Sequence, residues 1–165
     1  GARLRNWSDT RRRPAGSIVV MRFNRAAPHA RVVPVLTVAD VRAAVAWYEH
    51  TFGFVEHVRI GDGHRAQLGL PGGAPAELIV AEVRPGRRVP TTVRSHQILL
   101  KVEDVAATLL QAKAGGATIA DELCDHPYGE RQAGLTDPFG HQWVLTQTLV
   151  DTAPEDWGGQ TMRPR

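Results

Sequence analysis

Hydrophobic positions follow two rhythms along this chain, and the pair of rhythms occurs twice. Val32-Val33-Pro34-Val35-Leu36-Thr37-Val38 is short and β-branched and reads as a strand. Asp40 then offers a capping side chain. Val41, Val45, Trp47, Tyr48 and Phe52 recur at helical spacing until Gly53 stops the pattern. Short strands are expected at Val55–Ile60, Ala66–Leu70 and Glu77–Val83, separated by Gly61-Asp62-Gly63 and Pro71-Gly72-Gly73.

The pattern restarts after a proline- and arginine-rich stretch. His96–Val102 reads as a strand, and Asp104 opens a helix carrying Val105, Leu109, Leu110 and Ala112, which Gly115-Gly116 ends. Strands are expected near Thr118–Glu122, Gln132–Thr136 and Gln142–Thr148, with a turn at Asp137-Pro138-Phe139-Gly140. Trp143 and Leu145 share one face of the last strand and are expected against the second helix. Leu36-Thr37-Val38-Ala39-Asp40-Val41 lines up with Leu100-Lys101-Val102-Glu103-Asp104-Val105, 64 residues later. A unit of that length occurring twice signals two paired modules rather than a solenoid. The expected fold class is therefore α+β: tandem βαβββ modules whose curved mixed sheets surround a cleft. Module one spans about 32–83, a linker 84–94 and module two about 95–149, within a domain at 29–150. Residues 151–165 form a C-terminal tail, expected as a strap anchored by Trp157.

Charge changes the picture at one end only. The chain of 165 residues has a formal charge of +3. Residues 1–25 hold seven arginines and one acid, a balance of +6, which leaves −3 for the remainder. Residues 1–28 are thus read as a basic, disordered leader or added extension, with Met21 a natural start. The mildly acidic body argues against a nucleic-acid partner. No apolar run approaches the roughly 18 residues of a membrane span. A lone cysteine, Cys124, excludes an internal disulfide and a cysteine-rich zinc site. A cytoplasmic location is expected.

In combination, several segments resemble the vicinal oxygen chelate superfamily, which includes glyoxalase I, extradiol dioxygenases and bleomycin-resistance proteins. These are Val35–Asp40, Trp47-Tyr48-Glu49-His50-Thr51-Phe52-Gly53-Phe54, Val102–Val105 with Ala114–Ala117, and Tyr128-Gly129-Glu130-Arg131 leading to Asp137–Trp143. The resemblance implies that a metal, where present, takes His, Glu or Gln from four strands. Matched to the motifs, those positions are Val33, Glu77, Gln97 and Val144, and two of them carry no donor. A one-residue slip would bring in His96, but it would also turn Ile98, Leu100 and Val102 into the cleft. No metal and no cofactor are therefore expected.

Without a metal, the branch this chain resembles binds molecules rather than transforming them. Period-2 alternation places Val33, Val35, Thr37, Glu77, Ile79, Gln97, Leu99, Lys101, Gln142 and Val144 toward the cleft. Tyr128 and Arg131 lie in a loop that can close over it, although Arg131 has Asp125 and Glu130 as local partners. The expected function is metal-free sequestration of an antibiotic or another aromatic or peptide-like natural product, conferring resistance, by a homodimer. The alternatives are a metal-dependent lyase, isomerase or dioxygenase, and a metal-free enzyme using Glu77 as a general base in an apolar cleft.

Overall fold

The computed structural model describes residues 27–72, 75–91 and 96–161. The expected basic leader, except for Ala27 and Pro28, lies outside them, as do Gly73 of the expected turn at Pro71-Gly72-Gly73, linker residues 92–94 with residue 95, and the end of the tail. In chain order the elements are β1 (Val35–Val38), α1 (Val41–Phe52), β2 (Val55–Ile60), β3 (Arg65–Gly69) and β4 (Glu77–Glu82). The second series is β5 (Ile98–Lys101), α2 (Val105–Ala114), β6 (Thr118–Asp125), β7 (Glu130–Thr136) and β8 (Gln142–Thr148). A 3-10 turn at Pro154–Trp157 is the last element. Two four-stranded mixed sheets result, in the orders β1-β4-β3-β2 and β5-β8-β7-β6, an α+β fold. In each, the first strand runs parallel to the last and the other pairs are antiparallel. Among the described residues, no helix is long and apolar enough to cross a membrane.

The repeat is visible atom by atom at the helix starts. Asp40 Oδ1 accepts the Ala43 N–H at 3.0 Å, and Asp104 Oδ1 accepts the Ala107 N–H at 3.0 Å. Each satisfies one of the amides that a helix N-terminus leaves without a partner. At the other end of α1, Gly53 adopts φ 74° and its N–H reaches Glu49 O at 3.2 Å, a left-handed stop that favours glycine. Strand β1 begins at Val35, later than the hydrophobic run suggests, because Pro34 has no N–H to give a ladder.

One buried cluster runs through both modules and contains Leu36, Val45, Tyr48, Phe52, Leu68, Val80, Leu100, Val105, Leu135, Trp143 and Leu145. Trp143 and Leu145 lie on β8, which packs against α2 as expected, and the Trp143 ring also comes within 4.9 Å of Phe52 and 5.5 Å of Tyr48 of α1. Alternation along β8 gives the face a residue points to. It does not reveal that the other module's helix meets the same ring.

At the centre of this cluster lies Asp137, 3% exposed. Its Oδ2 accepts from Tyr48 Oη at 2.6 Å and Trp143 Nε1 at 2.8 Å, and its Oδ1 from the amides of Phe139 and His141 at 3.0 and 2.8 Å. Four donors leave the carboxylate fully satisfied, which is what its removal from water requires. Three further bonds join the modules: His141 Nε2 to Thr37 O at 2.9 Å, Trp47 Nε1 to Gly115 O at 2.8 Å and Gln111 Nε2 to His50 O at 2.7 Å.

Tyr48→Phe removes one charge-assisted bond and is expected to cost about 1.5–3 kcal/mol in urea unfolding. Asp137→Ala orphans four donors and is expected to cost at least about 4 kcal/mol. Equal costs for the two variants would contradict the central role of the carboxylate. Burial, and then the negative charge of Asp137, push the Tyr48 phenol well above its ordinary range. The folded state therefore keeps a proton that the unfolded chain loses above pH ~10. Stability from this group is intact below that pH and drains as pH rises past it, by up to about 1.4 kcal/mol per unit. Denaturation midpoints of the wild type should fall more steeply above pH ~10 than those of Tyr48→Phe.

Candidate functional site

Each sheet packs one face on the core and turns the other away from it, but the two outer faces differ. In module one Thr37, Gln67, Ile79 and Ala81 lie on that face and are buried. In module two Leu99 is 59% exposed, and a hollow of about 420 Å³ opens beside it. Its described lining is Gln97, Leu99, Asp121, Glu122, Cys124, His126, Gln132, Ala133, Gly134 and Val144.

Of the residues expected at the cleft, Gln97, Leu99 and Val144 meet in this hollow. Leu99 and Val144 are register partners on β5 and β8, so alternation puts them side by side. Gln142 is half-buried on the same strand without lining the hollow. Lys101 lines a separate depression with Val102, Glu103 and Asp104. Val33 and Glu77 are half-buried, and Val35 is exposed. Thr37 and Ile79 are correctly faced but closed off from solvent, so they offer a ligand no open surface. Glu77 Oε2 already accepts the backbone N–H of Ala30.

The loop residues are committed elsewhere. Arg131 Nε and Nη2 bind Asp125 Oδ1 and Oδ2 at 2.6 and 2.8 Å, and the guanidinium holds the Asp125 carboxyl below its usual range. Tyr128 donates to Gln132 Oε1 at 2.9 Å. From there a relay crosses β7 and β8: Gln132 Nε2 donates to Thr146 Oγ1 at 3.2 Å, and Thr146 Oγ1 to Glu130 Oε2 at 2.7 Å. Thr148 Oγ1 closes on Glu130 Oε1 at 2.6 Å. The Thr148 and Thr146 hydroxyls, and then the charge of Lys101, keep the Glu130 carboxyl lower than usual. Gln132 thus enters the hollow with its amide already oriented.

The acidic wall comes from β6, and simple alternation misses it. Pairing of β6 with β7 slips between Ile119 and Asp121 and again between Asp121 and Cys124. Such bulges break the two-residue period, so neighbours Asp121 and Glu122 both reach the hollow, with Cys124 and His126 beyond them. Asp121 lies directly over Gly134, where an added Cβ would come within 2.3 Å of Oδ2. In module one His57 lies over Gly69, 2.7 Å from where a Cβ would stand, but the register makes Gln67 the counterpart of Gly134 and Val58 that of Asp121. The repeat in the sequence therefore gives no signal that leads to Asp121.

At the rim, His126 and Tyr128 stack with ring centroids 4.8 Å apart, and Trp157 of the tail tilts against Tyr128 at 5.3 Å. The tail reaches this place because the N–H groups of Leu149 and Val150 both point to Gly129 O, at 2.8 and 3.3 Å.

A family model described as Glyoxalase/Bleomycin resistance protein/Dioxygenase superfamily matches residues 26–145. This chain belongs to that superfamily. Two uncharacterized mycobacterial proteins, from Mycobacterium bovis and Mycobacterium tuberculosis, are each 31% identical over 124 residues, covering 70% of this chain and 82% and 73% of theirs. Among solved structures, TioX from Micromonospora sp. ML1 is 30% identical, with a TM-score of 0.53, over 75% of this chain and 100% of its own. A superfamily enzyme from Burkholderia phytofirmans shares the fold at a TM-score of 0.59 and 20% identity, over 70% and 95%.

Glyoxalase-type metal positions in this chain do not make a donor set. Val33 and Val144 carry hydrocarbon, Glu77 is engaged by Ala30, and Gln97 lines the hollow of the second sheet. His96 is exposed beside it. Among the described residues, no three of His, Cys, Asp or Glu stand close enough to share a metal ion. These residues do not fit a divalent metal.

Gly129 holds φ 81°, and a Cβ there would stand 2.2 Å from Val150 O. Gly129→Ala is expected to lose at least about 1–2 kcal/mol of stability from backbone strain alone. Limited proteolysis should then cut within 149–161 sooner than in the wild type. An unchanged digestion pattern would show that this crossing does not hold the tail.

Proposed function

We propose that this superfamily member is a metal-free binding protein that sequesters an aromatic natural product in the hollow of its second module. The observation that supports this reading most is the hollow itself: an apolar floor of Leu99 and Val144 in a surface left open to solvent. A small-molecule site is typically concave and apolar with a few polar groups that fix orientation. Gln97 and the tethered Gln132 supply those groups here, and the His126–Tyr128 stack offers an aromatic rim. The hollow is open on one side, and a homodimer in which a second copy walls that side belongs to the same reading. A metal-dependent lyase, isomerase or dioxygenase would need donors that Val33 and Val144 cannot provide.

The test is a thermal-shift panel of aromatic antibiotics. A member present at 100 times its Kd stabilises by about 2.7 kcal/mol, or roughly 5–10 °C in a chain of this size. Val144→Trp fills the floor and is expected to abolish the shift while leaving the free protein within about 0.5 kcal/mol of wild type. No shift from any member at saturation, or a shift that survives Val144→Trp, would sink the proposal.

A further inference from the structure

We infer that the molecule bound in this hollow is a cation: a planar aromatic carrying a protonated amine or amidinium group. The inference rests on the proposed binding function and names the class of ligand. Around the apolar floor the described lining carries two carboxylates, Asp121 and Glu122, and neither lysine nor arginine. The other acids of this sheet are already answered, Asp125 by Arg131 and Glu130 by two threonine hydroxyls. Asp121 and Glu122 make no hydrogen bond or ion pair with the described residues.

An unpaired carboxylate costs nothing while water solvates it. The cost arises when an apolar ring system covers Leu99 and Val144 and strips that water away, because a buried charge without a partner is strongly unfavourable. A cationic ligand supplies the partner, a neutral one leaves the carboxylates stranded, and an anion adds repulsion. The backbone helps to aim the charge. Gly134, lacking a Cβ, lets the Asp121 side chain lie against β7, so its carboxylate, still exposed to water, stands at the edge of the floor. The bulge at Asp121 turns Glu122 the same way.

Three fluorescent three-ring probes of similar shape separate the possibilities: 9-aminoacridine as the cation, 9-anthracenemethanol as the neutral molecule and anthracene-9-carboxylate as the anion. The cation should bind about tenfold more tightly than the neutral probe, and lose that advantage as ionic strength rises. The anion should bind most weakly. Asp121→Asn combined with Glu122→Gln should bring the cation to the neutral probe's affinity and leave the neutral probe unchanged. Both positions are exposed, so the variant is expected to fold as the wild type does. If all three probes bind alike, or the double variant keeps the preference, the charge inference is overturned while the binding function stands. If none binds to the dimer or the monomer, both are overturned.

Discussion

The architecture depends on one buried carboxylate. Asp137 sits in the turn before β8, yet its partners come from α1 of the other module and from β8 as well as from its own turn. A carboxylate in an aromatic core is tolerable only when every acceptor site is used, and here each oxygen takes two donors. That demand locks Tyr48 and Trp143 in one arrangement, and the rings of Phe52, Phe54 and Phe139 pack around them. The interaction therefore does more than stabilise. It decides which way the second sheet faces, because Trp143 is held inward and the alternation of β8 then turns Val144 outward.

Much of the fold could be read from local chemistry, because local chemistry causes it. Asp40 and Asp104 cap helices wherever the modules are placed, and Gly53 ends α1 through its own backbone preference. What could not be read is how the modules meet. Nothing in the neighbours of Trp143 along the chain tells that its ring also meets α1, and only the three-dimensional pairing of the modules brings Tyr48 and Phe52 to it. Likewise, nothing local to Thr37 or Ile79 reveals that this part of the outer face of the first sheet is buried.

The candidate site divides along the same line. Gln97, Leu99 and Val144 follow from strict alternation on β5 and β8, which are regular strands. Asp121, Glu122, Cys124 and His126 lie on or just beyond β6, where two slips in pairing make the residue-to-face relation unreadable from spacing. Gln132 and Gly134 lie two apart on a regular strand, and carrying the alternation into β7 would have found them. Arg131 and Tyr128 show what spacing leaves out. Both are loop residues well placed for a ligand, yet each already has a polar partner within its own hairpin, Asp125 for Arg131 and Gln132 for Tyr128, and a short local bond forms at little entropic cost.

Duplication explains why one module can be given over to binding. Each βαβββ unit creates two sheet faces and needs only one for the core, so a pair of units has a spare face on each. In this chain the middle of the spare face of module one, at Thr37, Gln67, Ile79 and Ala81, is buried, and its one well-placed acid, Glu77, is bonded to the backbone of Ala30. Module two keeps its face open. Across the open face one row runs Leu99, Val144, Gly134, Asp121, and its counterpart in module one runs Val35, Ile79, Gln67, Val58. Where module one has Gln67, Gly134 has no Cβ and lets the Asp121 side chain lie flat on the sheet. The glycine supplies the shelf, and the residue resting on it sets the charge a ligand meets there.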